Sequence, residues 1–398
     1  GAEDNTTRAF RDGKEAVFLG RTTEQPETDP NDYLYSVDLG SGAVRRVSTS
    51  LPFSRSTLLN QVVDVGADDR SIVLSVPAGD LTAIVEVPRG GGAPRALTTV
   101  TQMVWGLGVA KNGDIYVDQV LRPQDALLME PDGGRPQTVL SVNNLVYTPT
   151  LPLPDGRILF TVSVDRRSRL LAARPRGNPT PFAQTAEETS GPLAMVGSSE
   201  VAFLAGPPAA RKVAIASVAD GRIVRRLEEA DGPSIEALAS SPDGRTLYYA
   251  ARGKIWAIPA AGGPPKPVCE GDSVAADPRG EHLVVQLNEK GTVRLMRVPV
   301  GGGPEQPLSF PGVRPAAVLM TSNAVRADGA ILKTSNASDT WPWYVAVLNP
   351  ESGAAQRITL PSFLDAQYPG WTADGKILAF GARTHATVWR LRRESKPR

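Results

Sequence analysis

One ten-residue phrase, Ser241-Pro242-Asp243-Gly244-Arg245-Thr246-Leu247-Tyr248-Tyr249-Ala250, returns in altered form along the whole chain. It joins a tight turn to an alternating apolar run. Pro fixes φ at the first turn position, Asp bonds its own backbone, and Gly accepts positive φ. The run behind the turn sends side chains alternately to two faces, as a strand does. Lys254 to Pro259 reads as a further strand, Gly262-Gly263 as a turn, and Lys266 to Val268 as a last strand. With Ile235 to Ala239 ahead of the turn, the unit is a four-stranded meander.

The phrase opens nine units. Its turns stand at Asp12-Gly13, Asp68-Asp69, Asn112-Gly113, Asp155-Gly156, Ser198-Ser199, Asp243-Gly244, Arg279-Gly280, Asp328-Gly329 and Asp374-Gly375. Successive openings lie about 35 to 56 residues apart, mostly near 44. Third strands recur at 33–37, 83–87, 126–129, 213–216, 293–296 and 344–347, and most are followed by a Gly turn. No apolar spacing of helical period persists beyond a turn or two. The 38 glycines and 35 prolines would break long helices in any case. Four strands repeated at this period predict an all-β fold, a single β-propeller of four-stranded antiparallel blades over residues 1–398. Nine repeats are counted, with an eight-bladed ring as the alternative. The last unit runs out of sequence before a fourth strand. The N-terminal stretch Asn5 to Phe10 either completes that last blade or forms the first inner strand. Ile72, Ile115, Phe160, Phe203, Leu247, Leu283, Ile331 and Leu378 share one place in the second strand and are expected to be buried between blades.

Bulk properties narrow the function. The net charge of +1 points to no nucleic acid. No apolar run approaches a membrane span, so this segment is not expected to insert directly in a membrane. The single cysteine, Cys269, allows no internal disulfide and reads as a structural thiol in an outer strand. His282 and His385 lie about a hundred residues apart and read as structural. No Gly-x-Ser-x-Gly elbow occurs. The triglycines at 90–92 and 301–303 lack a following Lys-Ser/Thr and read as hairpin turns. No catalytic residue, metal ligand or cofactor is therefore assigned. The remaining signal lies in the loops between second and third strands. Several are basic and carry Arg166, Arg167, Arg169, Arg211, Arg252 and Arg383, and one brings Trp341 and Trp343 around Pro342. Such a rim suits an anionic small ligand or an unknown protein partner.

The repeat resembles the TolB-type, or Trp-Asp-like, propeller repeat. Ser241 to Val268 matches its inner strand, Ser-Pro-Asp-Gly turn, apolar strand, Trp-bearing third strand and Gly-Gly turn. Gly370 to Phe380 matches it well. The resemblance implies a non-catalytic binding propeller. That would be either a TolB-like periplasmic or otherwise extracytoplasmic binding protein, or the sensor domain of a larger bacterial signalling protein. The alternative is a propeller enzyme, such as a polysaccharide lyase, with its site at the channel mouth. Scarce histidine argues against the enzyme.

Overall fold

All nine openings form tight turns between a first and a second strand. The Asp or Asn of these turns accepts the backbone N–H two residues on: Lys14 from Asp12 at 3.0 Å, Asp114 from Asn112 at 3.1 Å, Arg157 from Asp155 at 3.0 Å and Arg245 from Asp243 at 3.0 Å. Gly244 and Gly375 have φ of +69° and +80°, the left-handed region a side chain resists. The computed structural model describes residues 7–20, 31–51, 53–54, 62–78, 81–101, 103–121, 124–142, 149–164, 167–289, 292–336, 343–361, 364–383 and 385–392. Among these the only helix is the 3-10 turn Gly232–Ser234. The strands pair antiparallel into nine sheets, and the expectation of an all-β propeller with four-stranded blades is met.

The described residues gather into two compact units, 1–122 with 384–398, and 123–383. The first holds blade 1 (Thr7–Ala9, Glu15–Gly20, Asn31–Asp38, Val44–Arg46), blade 2 (Val63–Val65, Ser71–Ala78, Leu81–Pro88, Arg95–Val100) and blade 3 (Met103–Val109, Ile115–Leu121, His385–Leu391). Val17, Leu19 and Leu34 of blade 1 pack with Val63, Ile72 and Leu74 of blade 2. Val73 and Ile84 of blade 2 pack with Leu107, Ile115 and Val117 of blade 3. Two apolar clusters thus join three sheets in series.

The second unit holds six sheets. Blade 4 is Leu151–Pro152, Ile158–Val164, Arg167–Ala173 and Thr180–Pro181. Blade 5 is Thr189–Val196, Glu200–Ala205, Lys212–Ser217 and Ile223–Leu227. Blade 6 is Ile235–Ser240, Thr246–Ala251, Lys254–Pro259 and Lys266–Glu270. Blade 7 is Ser273–Ala276, His282–Glu289, Thr292–Pro299 and Gln306–Leu308. Blade 8 is Arg314–Pro315, Ile331–Asn336, Tyr344–Leu348 and Ala355–Arg357. Blade 9 is Leu364–Trp371, Ile377–Arg383, Gln124–Met129 and Gln137–Ser141. Five apolar clusters join each blade to the next in order. A sixth sets Ala126, Leu378 and Phe380 of blade 9 against Ile158, Phe160 and Val162 of blade 4. Six sheets with six interfaces make a closed cycle, and each sheet is covered on both faces.

The repeat count alone anticipates one uninterrupted series, and here the structure differs. The second strand of repeat three, Ile115–Leu121, pairs with His385–Leu391, from Ile115↔Leu391 to Leu121↔His385. The third strand of that repeat, Gln124–Met129, pairs instead with Ile377–Arg383, from Gln124↔Ala382 to Met129↔Ile377. Repeats three and nine have exchanged third strands, and residues 124–141 supply the outer half of the last blade. The N-terminal strand does not supply it. Thr7–Ala9 pairs with Glu15–Gly20 as the inner strand of blade 1. Side-chain fit fixes the choice. A Cβ at Gly381 would sit 2.2 Å from Leu127 Cδ1, so the glycine leaves the room that leucine fills. In blade 3, Arg390 Nε meets Asp114 Oδ2 at 2.7 Å. All eight second-strand residues expected to be buried are at most 4% exposed.

Candidate functional site

Antiparallel order within a four-stranded blade puts the loop between strands two and three at the same end as the connector to the next blade. In blades 4 to 9 that end carries the rim anticipated from the sequence. Its cations meet acids from the connectors. Arg169 donates to the Glu187 carbonyl, while the Glu187 carboxylate pairs with Arg226 at 3.0 Å. Lys212 Nζ donates to the Glu228 carbonyl at 2.7 Å and lies 3.6 Å from its carboxylate. Arg252 reaches Asp231 at 2.7 Å and Ser234 Oγ at 3.2 Å. Arg252 and Gly253, with φ of +55° and +71°, form the two-residue turn that a right-handed twisted hairpin favours. The chain's near-neutral charge is mirrored locally at blades 4, 5 and 6, whose basic loops each lie beside an acidic connector.

The other expected rim residues are placed unequally. Arg167 is exposed at the start of the third strand of blade 4. Arg211 is half-buried, and its carbonyl closes on the next connector, where a Cβ at Gly232 would lie 1.9 Å from it. Arg383 ends the second strand of blade 9, opposite Leu364. Arg166 and Trp341 lie outside the described residues. Trp343 is half-buried. Its N–H donates to Asp365 Oδ1 at 2.9 Å, and its carbonyl accepts the Ala366 N–H at 3.3 Å. The backbone of Trp343 is therefore fastened to the inner strand of blade 9.

The sequence reading missed two further features. Glu236, second in the inner strand of blade 6, has its carboxyl held above the usual range, by burial first and by the charge of Asp272 second. Asp272 stands just ahead of the inner strand of blade 7 and accepts the Asn288 N–H at 2.7 Å. A glutamate inside the otherwise apolar run 235–239 was the available signal. The second feature is the inner strand of blade 8. It bonds Thr334 through the Ala316 N–H at 2.9 Å and rejoins where the Leu332 N–H meets the Ala324 carbonyl at 2.8 Å. Residues 317–323 thus stand opposite Lys333 alone. The Lys333 side chain is buried and donates to the Val318 carbonyl, and burial alone brings its amine down to about 7. Ser273 Oγ receives the Met320 N–H at 2.9 Å, and Gln286 Nε2 donates to the Ala317 carbonyl at 3.3 Å. Buried side chains of blades 7 and 8 hold a stretch of backbone that has left its sheet.

At the opposite end, Asp277, Glu281 and His282 bring one ligand atom each within 4.8 Å of one another. The Asp277 carboxylate already receives Arg279 Nε at 3.2 Å and the Arg279 N–H at 3.1 Å. A metal would have to displace that guanidinium. Cys269 sits partly buried in the outer strand of blade 6, and burial pushes its thiol up to about 11, as suits a packing residue.

No family model matches this chain, and no curated protein sequence does either. Solved structures do. A TolB structure from Agrobacterium tumefaciens is 13% identical, covers 67% of this chain and 99% of its own, and superposes with a TM-score of 0.51. TolB from Acinetobacter baumannii covers 95% of this chain and 83% of its own at 9% identity and a TM-score of 0.41. An oligogalacturonate lyase from Vibrio parahaemolyticus covers 73% of this chain and 88% of its own, at 13% identity and a TM-score of 0.34. Identity this low speaks for the fold alone. By that measure the chain is an all-β propeller protein whose fold resembles that of TolB.

Proposed function

We propose that this chain is a non-catalytic binding propeller. Its binding surface is the end of blades 4 to 9 that carries the second-to-third-strand loops. The supporting observation is the fastening of Trp343. The backbone of the half-buried Trp343 is held to the inner strand of blade 9 by the Asp365 carboxylate and the Ala366 N–H, so ordering that end of the loop costs a ligand little. Arg252 and Lys212 are paired with carboxylates of the connectors, so on this reading the surface recognises a partner by shape and aromatic contact as well as by charge. The exposed Arg167 and the half-buried Arg211 are the candidates for anion recognition on this surface. A TolB-like periplasmic or extracytoplasmic role, or a sensor role within a larger bacterial signalling protein, follows from this reading and from the resemblance in fold.

The test combines Trp341→Ala with Trp343→Ala in one variant and Arg167→Ser with Arg211→Ser in another, and measures melting temperature and capture from a bacterial envelope extract. The expected result is lost capture in both double variants at unchanged melting temperature. If the Trp variant unfolds early and the Arg variant captures normally, the aromatic loop is packing and the reading fails. The enzyme alternative has its own readout. Polygalacturonate incubated with the protein would gain ultraviolet absorbance from unsaturated ends, and such a gain would overturn the non-catalytic reading.

A further inference from the structure

The first unit contains a sheet that lacks an outer strand. Blade 3 runs Met103–Val109, Ile115–Leu121, His385–Leu391, and among the described residues nothing pairs with the outer edge of His385–Leu391. Its residues 387–390 are all exposed, with Val388 at 72% and Trp389 at 53%, and Tyr116 beside them is 39% exposed. Folded proteins usually blunt such an edge with lysine, proline, a bulge or a short strand. This one has seven residues and neither lysine nor proline. Its pairing to Ile115–Leu121 runs without a register shift. Its charged residue Arg390 is turned back into the sheet by Asp114. Such an edge presents a row of backbone donors and acceptors with no strand beside it among the described residues.

The geometry points to a second copy of this chain as the occupant, with the two His385–Leu391 strands pairing antiparallel about a two-fold axis at Val388. An isologous contact needs a self-complementary surface, and this strand provides one. Antiparallel pairing centred on Val388 places Val388 against its own copy, Trp389 against Thr387, and Arg390 against Ala386. The strand's arginines never face each other, and each Trp lies over a small β-branched residue, a favourable cross-strand pair. The product is a six-stranded sheet built from two copies of blade 3. The contact area is one strand from each partner, so association is expected in the micromolar range.

Sedimentation velocity on the whole chain, from low micromolar to submillimolar concentration, tests this together with hydrogen–deuterium exchange. The expected result is a reversible dimer, with amide protection of residues 385–391 that grows with concentration. Val388→Lys puts two cations face to face at an exposed site, so it should weaken the dimer at least tenfold at unchanged melting temperature. A monomer at all concentrations overturns the proposal. So does a dimer that survives Val388→Lys with residues 385–391 still exchanging freely. Protection of 385–391 that is independent of concentration would mean that the edge is covered from within the same chain, and that also overturns it.

Discussion

The two units use one repeat and treat their ends differently. In blades 4 to 9 every sheet has an apolar neighbour on both faces, because Ala126, Leu378 and Phe380 of the last blade meet Ile158 and Phe160 of the first. In blades 1 to 3 two clusters serve three sheets, and Tyr116 and Val388 of blade 3 stay exposed. A four-stranded sheet with two apolar faces is stable only if both are covered. A cycle supplies that cover from within the unit, and within the first unit two clusters join its three sheets. The exchange of third strands lets one chain build both arrangements. Among the described residues, the outer edge of His385–Leu391 in the series has no strand beside it.

The largest expected effect tests the closing interface. Phe380 is fully buried, and Phe380→Ala should cost about 3–5 kcal/mol. Amide exchange should accelerate across blades 4 to 9 together and stay unchanged in residues 62–100. Phe10→Ala should do the reverse, since Phe10 is 2% exposed in the cluster between blades 1 and 2. If either variant loosens both units alike, the distinction between cycle and series fails.

Next comes Lys333. Its folded-state affinity for protons lies below its unfolded one, about 7 against 10.5. The unfolded chain therefore binds more protons between those values, and stability rises with pH there, by at most about 1.4 kcal/mol per unit. Below about pH 7 both states hold the proton and the stabilisation is absent. Lys333→Met should stabilise the second unit most at pH 6 and flatten its dependence between pH 7 and 10 in urea titrations. An unaltered slope would show that the amine is solvated.

A smaller effect separates two turns of one type. Gly375 has φ +80° and open space around a would-be Cβ, so Gly375→Ala should cost about 1 kcal/mol in conformation alone. Gly244 has φ +69°, and its Cβ would also fall 2.6 Å from the Gly197 backbone nitrogen in blade 5. Gly244→Ala should therefore cost clearly more, read as a larger fall in melting temperature. Equal losses would mean that the blades yield freely at that contact. The smallest effect belongs to Arg252→Ser. The Arg252 side chain is 76% exposed beside Asp231, and exposed pairs of this kind contribute about 0–1 kcal/mol, so the melting temperature should barely move.

What could be read in advance was what neighbouring residues decide. Pro-Asp-Gly followed by an alternating run specifies a turn and a strand without outside help, so the nine openings and the buried second-strand residues were legible. The basic loops were legible as well, but their contacts with the acidic connectors were not. Glu187, Glu228 and Asp231 lie 18, 16 and 21 positions from the cations they meet. The fastening of Trp343 on Asp365 spans 22 positions and leaves no local pattern.

The sequence by itself determined the repeat, its turns, its strand alternation and the all-β fold, because each depends on φ preferences and a period of two within a few residues. Only the tertiary structure decided which third strand joins which sheet. Gln124–Met129 and His385–Leu391 each follow a second strand closely and could form a hairpin with it. The choice between them rests on fit across more than two hundred residues: Leu127 in the space beside Gly381, and Arg390 on Asp114. Backbone hydrogen bonds are the same in either pairing. The side chains that discriminate are brought together only by the folded chain, so the division into a closed cycle of six sheets and a second group of three lies beyond any local reading.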